Sequence, residues 1–278
     1  MTMLTSLRFF YKRIVVHSIE RFIRRVTLII KYLIVRKDIN PIFVITSPRT
    51  GSYLLLDYLS SHPYIDSLGE VINPDIVRGI RTKFISKQEV LFHIKTSLNT
   101  SKSKNGVIKL MSDQMETHRL NIDDIRDTFP TAQFIILYRE SLLKQYISNE
   151  LSKRSGVWKL DKEKNKQRWD KSSITFEINP GDFQQFCEST KQFYVNILGK
   201  EWIKKEALIL SYEELIGNSK DKLGGKLFSF LNLPKAEIKT DLKTMNERSA
   251  EEIVTNYHEI KELLEGEENL LTKAPVRK

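Results

Sequence analysis

The sequence predicts an α/β protein: a single domain with a central parallel sheet flanked by helices, preceded by a basic amphipathic helix. Three observations carry that reading. From Pro41 onward, short apolar runs bounded by polar or Gly/Pro residues alternate with longer segments of helical period. The chain has 278 residues, 40% hydrophobic and 29% charged, which is enough for a substantial core and speaks against disorder. Its single cysteine, Cys187, excludes an intramolecular disulfide framework, and with no His or Cys partners at ligand spacing a zinc site is not expected.

Residues 1–40 stand apart. They hold nine Lys or Arg against Glu20 and Asp38, which is +7 of the net +10. Ile19, Phe22, Ile23, Val26, Ile30 and Leu33 recur at helical spacing, with Arg21, Arg24, Arg25 and Lys31 among them. Arg25, Lys31 and Arg36 interrupt the apolar stretches before they reach the roughly 20 residues of a spanning helix. No small-residue cleavage site follows an uncharged core, so no secretory signal is read and the chain is placed in the cytoplasm. This arm either meets an anionic membrane surface through residues 1–37 or packs on the flank of the domain formed by residues 41–278.

Strands are expected at Ile42 to Thr46, Val107 to Met111, Gln133 to Tyr138 and Ala207 to Leu210. Helices are expected near 52–61, 87–98, 119–128, 140–152, 182–198 and 219–231. Such alternation gives βαβ units, whose ligands gather at the carboxyl ends of the strands. Residues 153–171, with eight basic and three acidic side chains and little apolar period, read as a flap.

The stretch FVITSPRTGSYLLLDYL, residues 43–59, is a strand that turns through Pro48 to Gly51 into a helix. Such an elbow aims backbone N–H groups and a helix amino terminus at one point, which attracts phosphate or sulfate. Arg49 adds charge there, Thr50 and Ser52 add hydroxyls, and Gly51 allows close approach. The leading Gly and the Lys of a Walker A loop are absent. In QFIILYRESLLKQYIS a second strand runs into a second helix, with Arg139 at the junction and Ser148 about two and a half turns on. An Arg there suits a second phosphate; the alternative is surface pairing with Glu140 or Glu150.

These motifs, with I-L-S-Y-E-E-L and F-S-F-L-N-L-P further on, resemble the PAPS-dependent sulfotransferases over most of residues 41–265. G-E-V-I-N-P, V-I-K-L-M-S-D-Q and M-N-E-R-S-A-E-E-I-V-T-N-Y-H-E-I look most like the bacterial branch that sulfates sugars such as nodulation factors, and secondary metabolites. The resemblance implies the P-loop-like sulfotransferase fold, with 3′-phosphoadenosine 5′-phosphosulfate (PAPS) as donor, PAP as product and no metal. It places Arg49, Thr50, Gly51, Ser52 and Tyr53 at the 5′-phosphosulfate, and Arg139 and Ser148 at the 3′-phosphate. Tyr212 falls near the nucleotide, and Lys243, Asn246 and Arg248 would close over it. Arg49 stands where the cytosolic animal enzymes carry a Lys, which keeps the charge and changes its geometry. Glu70 is the implied general base, with His118 second and Lys109 an electrostatic contributor; the bland alternatives are a solvated loop carboxylate and a helix-capping histidine.

The acceptor is left open among a sugar, a glycolipid and a polar metabolite, guanidinium toxins of the saxitoxin kind included. Phe84, Trp158, Trp169 and Phe176 would lie on its side; a cationic acceptor would call on Glu70, Asp75 or Glu177. Two other classes stand beside this reading: a P-loop-like kinase or nucleotide hydrolase using Asp113 for Mg²⁺, and a non-catalytic basic membrane-binding module. No nucleic-acid motif is recognised, so no nucleic-acid partner is expected, and oligomeric state is left open.

Overall fold

The computed structural model describes residues 38–73, 86–158, 174–240 and 248–266. Five strands form one sheet: β1 (Asn40–Thr46), β2 (Ile65–Gly69), β3 (Asn105–Met111), β4 (Gln133–Tyr138) and β5 (Leu208–Ser211). Their order is β2-β3-β1-β4-β5, and every pair is parallel. The central strand β1 is NPIFVIT, buried at every position after Asn40, because helices cover both faces. Phe43 and Ile45 join a core with Ile108, Leu110 and Ile136 on one face. Ile42 and Val44 join Val107, Ile135 and Leu137 on the other.

The expected strands are all present, and β5 runs on to Ser211. The sequence reading omitted β2. Its residues are IDSLG, with only Ile65 buried, and it pairs with β3 alone at a sheet edge, so no apolar run marked it.

Along the chain the helices are α1 (Ser52–Ser60), α2 (Lys87–Leu98), α3 (Ser112–Thr117), α4 (Ile122–Thr128), α5 (Leu142–Ser155), α6 (Pro180–Leu198), α7 (Glu201–Glu206), α8 (Tyr212–Gly217), α9 (Lys220–Phe230), α10 (Ala250–Ile253) and α11 (Lys261–Gly266). Local chemistry sets their ends. Asn121 and Asp124 form a capping box that delays α4 to Ile122, after Arg119 at φ 53°. The Asn179 side chain caps α6 and Pro180 opens it, so that helix starts two residues before the expected Asp182. Gly156, in the left-handed region at φ 68°, ends α5, whose last turn takes up the first residues of the expected flap.

The carboxyl-terminal segment is tied to the body by backbone bonds between Phe176 and Ile253 and Thr255, each 3.0 Å, and by Asn256, which bonds both the N–H and the carbonyl of Ile178 at 3.0 Å. The amino-terminal arm through residue 37, most of the expected flap, Phe84, Trp169, Asp75, Lys243 and Asn246 lie outside the described residues. Among the described residues no helix is long and apolar enough to cross a membrane.

Candidate active site

The carboxyl ends of β1, β3 and β4 open into a cleft of about 2110 Å³. Its floor is the elbow after β1. Arg49 there has φ 68° and Gly51 φ 79°, two successive departures into the left-handed region around Thr50. An arginine in that region costs about 1–2 kcal/mol and persists only where its surroundings hold it. They do so from behind. Tyr194 of α6, fully buried, takes the Ser47 N–H at 2.9 Å and donates to the Leu137 carbonyl at 2.7 Å. Gln145 of α5 donates from Nε2 to Ser47 Oγ at 2.7 Å and to the Pro48 carbonyl at 2.6 Å. Neither brace was anticipated. A Tyr and a Gln inside apolar helical patterns read as ordinary packing, and nothing in the sequence marks the loop as their partner.

Thr50 departs from expectation. Its hydroxyl bonds Thr46 Oγ1 and the Ser47 carbonyl, with no side-chain exposure, so it staples the turn and does not line the cleft. Gly51 leads into α1 with no side-chain cap, leaving the first-turn N–H groups of that helix toward the cleft.

Two guanidinium groups converge over this point. Arg139 donates from Nη1 to the Arg49 carbonyl at 3.3 Å and stacks over the Tyr212 ring at 4.5 Å. It pairs with neither Glu140 nor Glu150, and its Nε is buried without a hydrogen-bond partner among the described residues. Arg49, not Arg139, engages Ser148, its Nε donating to Ser148 Oγ at 3.1 Å, and Nη1 reaches the Trp158 carbonyl at 2.7 Å. Burial lowers both guanidinium pKa values; with the charge of Arg139 alongside, Arg49 comes down to about 10. Two buried cations, one of which lowers the pKa of the other, favour an anion between them.

The second wall carries the Glu70–Lys109 pair. Alternation along β3 turns Lys109 to the face covered by α1, where it is 1% exposed. Its Nζ lies 2.5 Å from Glu70 Oε1 and 3.3 Å from Ser52 Oγ, above the Tyr53 ring at 3.7 Å. Tyr53 also donates to Glu70 Oε1 at 3.0 Å, while Asn73 and Gln114 donate to Oε2 at 2.5 and 2.8 Å. Burial pushes the Glu70 carboxyl up, but the charge and bond of Lys109, with the bonds of Asn73 and Tyr53, hold it below the ordinary carboxylate range. Glu70 is therefore a buried anion facing the cleft and not a solvated loop carboxylate. Burial and the neighbouring Glu70 carboxylate push the Tyr53 hydroxyl up, so it stays a donor.

His118 is not brought to the cleft. It is buried, 6% exposed, with Nε2 3.0 Å from the Ile72 carbonyl, and it does not line the cavity. Arg248 does line it, while bonding the carbonyls of Ile174 and Glu252. Trp158 is 47% exposed at the rim, whereas Phe176 is buried under Arg154.

The profile of the sulfotransferase family matches residues 41–237. No relative was found among curated protein sequences. Solved structures similar to this chain include the sulfotransferase domain from the curacin biosynthetic pathway, at 15% identity and TM-score 0.41, covering 80% of this chain and 86% of that one. The sulfotransferase of Alicyclobacillus acidocaldarius is 12% identical with TM-score 0.46, covering 82% and 92%. Mouse sulfotransferase SULT7A1, solved with PAP, is 13% identical with TM-score 0.41, covering 82% and 64%. The match over residues 41–237, which spans the elbow, Glu70, Lys109, Arg139 and Tyr212, assigns this chain to the sulfotransferase family.

Proposed function

We propose that the protein moves the sulfuryl group of PAPS to a small polar acceptor in line, releasing PAP. The observation that carries this is the Arg49–Arg139 pair at the uncapped start of α1, with Arg139 Nε buried and unpartnered. A nucleotide bearing phosphates at its 3′ and 5′ positions offers each guanidinium an anion. PAPS, when bound, supplies an activated sulfuryl group whose bond to the phosphate oxygen breaks as the bond to the acceptor oxygen or nitrogen forms.

The residues divide the work by position. Arg49, Ser52, Tyr53 and the N–H groups after Gly51 hold the 5′ side, and Arg139 and Ser148 hold the 3′-phosphate once Ser148 Oγ exchanges Arg49 Nε for that phosphate, with Tyr212 beneath the Arg139 plane. Lys109 and Arg49 stabilise charge on the departing phosphate oxygen. Glu70 takes the acceptor proton as the new bond to sulfur acidifies it. Because Glu70 is already ionised, it needs no prior deprotonation, but an acceptor must displace one of its four donors.

Isothermal titration with PAP tests this directly, comparing wild type with Arg49→Ala and Arg139→Ala. Folded wild type should bind PAP, both variants should lose it, and ATP with Mg²⁺ should not substitute. Folded wild type that ignores PAP overturns the reading. Glu70→Gln should keep PAP binding and lower turnover by about 10²-fold or more.

A further inference from the structure

The short helix α3 presents acceptors to the cleft that the nucleotide reading does not use. Asp113 and Glu116 lie three residues apart, on one face of α3, and both line the cleft. Neither makes an ion pair among the described residues, whereas Asp123, Glu70 and Lys200 on the same cleft are all paired. Asp113 takes backbone N–H bonds at the start of α3 and feels the charge of Lys109 without forming an ion pair with it, and its carboxyl is pushed up, by burial first and then by Glu70 nearby.

Gln114, between them, adds an independent mark. It is 2% exposed, lines the cleft, and donates from Nε2 to Glu70 Oε2 at 2.8 Å, leaving Oε1 buried with no donor among the described residues. The orientation of this amide is set by Glu70, because a flip would place Oε1 against a carboxylate. A buried carbonyl oxygen without a partner costs about 1–3 kcal/mol, which a ligand N–H or O–H recovers. The cleft is thus polarised, with guanidinium groups over the elbow and unpaired oxygen acceptors on α3.

We propose that the acceptor carries a cationic nitrogen, an ammonium or guanidinium group, that docks between the Asp113 carboxylate and Gln114 Oε1, with Glu116 adding charge at the rim. This deepens the sulfuryl-transfer reading and rests on it. A nitrogen held there stays protonated and is no nucleophile, so the group sulfated is a different atom of the same molecule, a hydroxyl presented to Glu70. Of the acids named from the sequence for a cationic acceptor, Glu177 does not line the cleft. Asp113 and Gln114 take that role.

The test uses two probes of one skeleton with the full chain and labelled PAPS: trans-4-aminocyclohexanol, protonated near neutral pH, and trans-cyclohexane-1,4-diol. The ammonium probe should show a kcat/KM at least about ten-fold above the diol. Asp113→Asn, which breaks no ion pair and so leaves folding intact, should bring that ratio down to within about two-fold, and Gln114→Leu should lower it in the same direction. Equal or better use of the diol, a ratio unchanged in Asp113→Asn, or no turnover of either probe by protein that binds PAP would each overturn the proposal. Failure of wild type to bind PAP at all would instead count against the sulfuryl-transfer reading, so the two failures are distinguishable.

Discussion

The Tyr212 ring closes over Gly51: a Cβ on Gly51 would stand 2.8 Å from Tyr212 Cε2 and nearer still to Cδ2. The same ring carries the Arg139 guanidinium on its face at 4.5 Å. The turn after β1 and the arginine after β4 are thus set by one side chain from the start of α8.

Gly51→Ala should therefore lose more than conformational freedom. A left-handed alanine costs about 1–2 kcal/mol, and the displaced ring would carry Arg139 with it. Calorimetry should show a lower Tm, and PAP affinity should fall by about ten-fold or more. Adding Tyr212→Ala should recover part of the stability by removing the clash, though not the affinity. Native affinity in Gly51→Ala would show that the ring does not position Arg139.

Tyr194→Phe removes the one hydroxyl that accepts the Ser47 N–H. That buried donor then lacks a partner, at about 1–3 kcal/mol, readable as a lower urea midpoint with unchanged m. Burial holds the Tyr194 hydroxyl up at about 12, so the loss should not vary with pH across the neutral range.

The Glu70–Lys109 pair makes a signed prediction for acid. The folded Glu70 carboxyl lies below its ordinary 4.5, so folding favours the ionised form. Its contribution is complete above that ordinary value and disappears as the pH falls through the lower folded value. Urea midpoints should fall more steeply below pH 4.5 in wild type than in Glu70→Gln. At neutral pH Lys109→Met alone, which strands a buried carboxylate, should cost about 3–5 kcal/mol, and Glu70→Gln with Lys109→Met should cost less. Parallel acid profiles in wild type and Glu70→Gln would place this contribution elsewhere.

Asn256→Ala should free the carboxyl-terminal segment from the strand-like stretch at Ile178. Both bonds to that backbone are lost, leaving a buried N–H and carbonyl short of partners. Limited proteolysis should then cut beyond Ser249 sooner than in wild type, with PAP titration unchanged. Equal cutting rates would show that the Phe176 backbone bonds alone hold the segment.

Much of the candidate site's geometry was legible because it is local. The elbow, Arg139 at the end of β4 and Tyr212 after β5 each sit where a strand meets a helix, and that junction shows as a change of apolar period. Gly51 was legible too, since a turn of that shape requires it. His118 misled because a histidine just ahead of a helix carries no sign of which way its ring will face. Thr50 misled because a hydroxyl in an anion loop looks the same whether it faces the ligand or staples the turn.

What the sequence determined by itself is the alternation of buried strands and amphipathic helices, hence the parallel sheet and the end of it at which ligands gather. Only the tertiary structure decided which polar groups meet across the chain. Glu70 meets Lys109 thirty-nine positions on, Ser47 meets Tyr194, and Arg49 takes Ser148 away from Arg139. The physical reason is range. Period and turn chemistry act over a few residues, while a hydrogen bond between side chains far apart in sequence exists only once the sheet has set the distance between the strands that carry them.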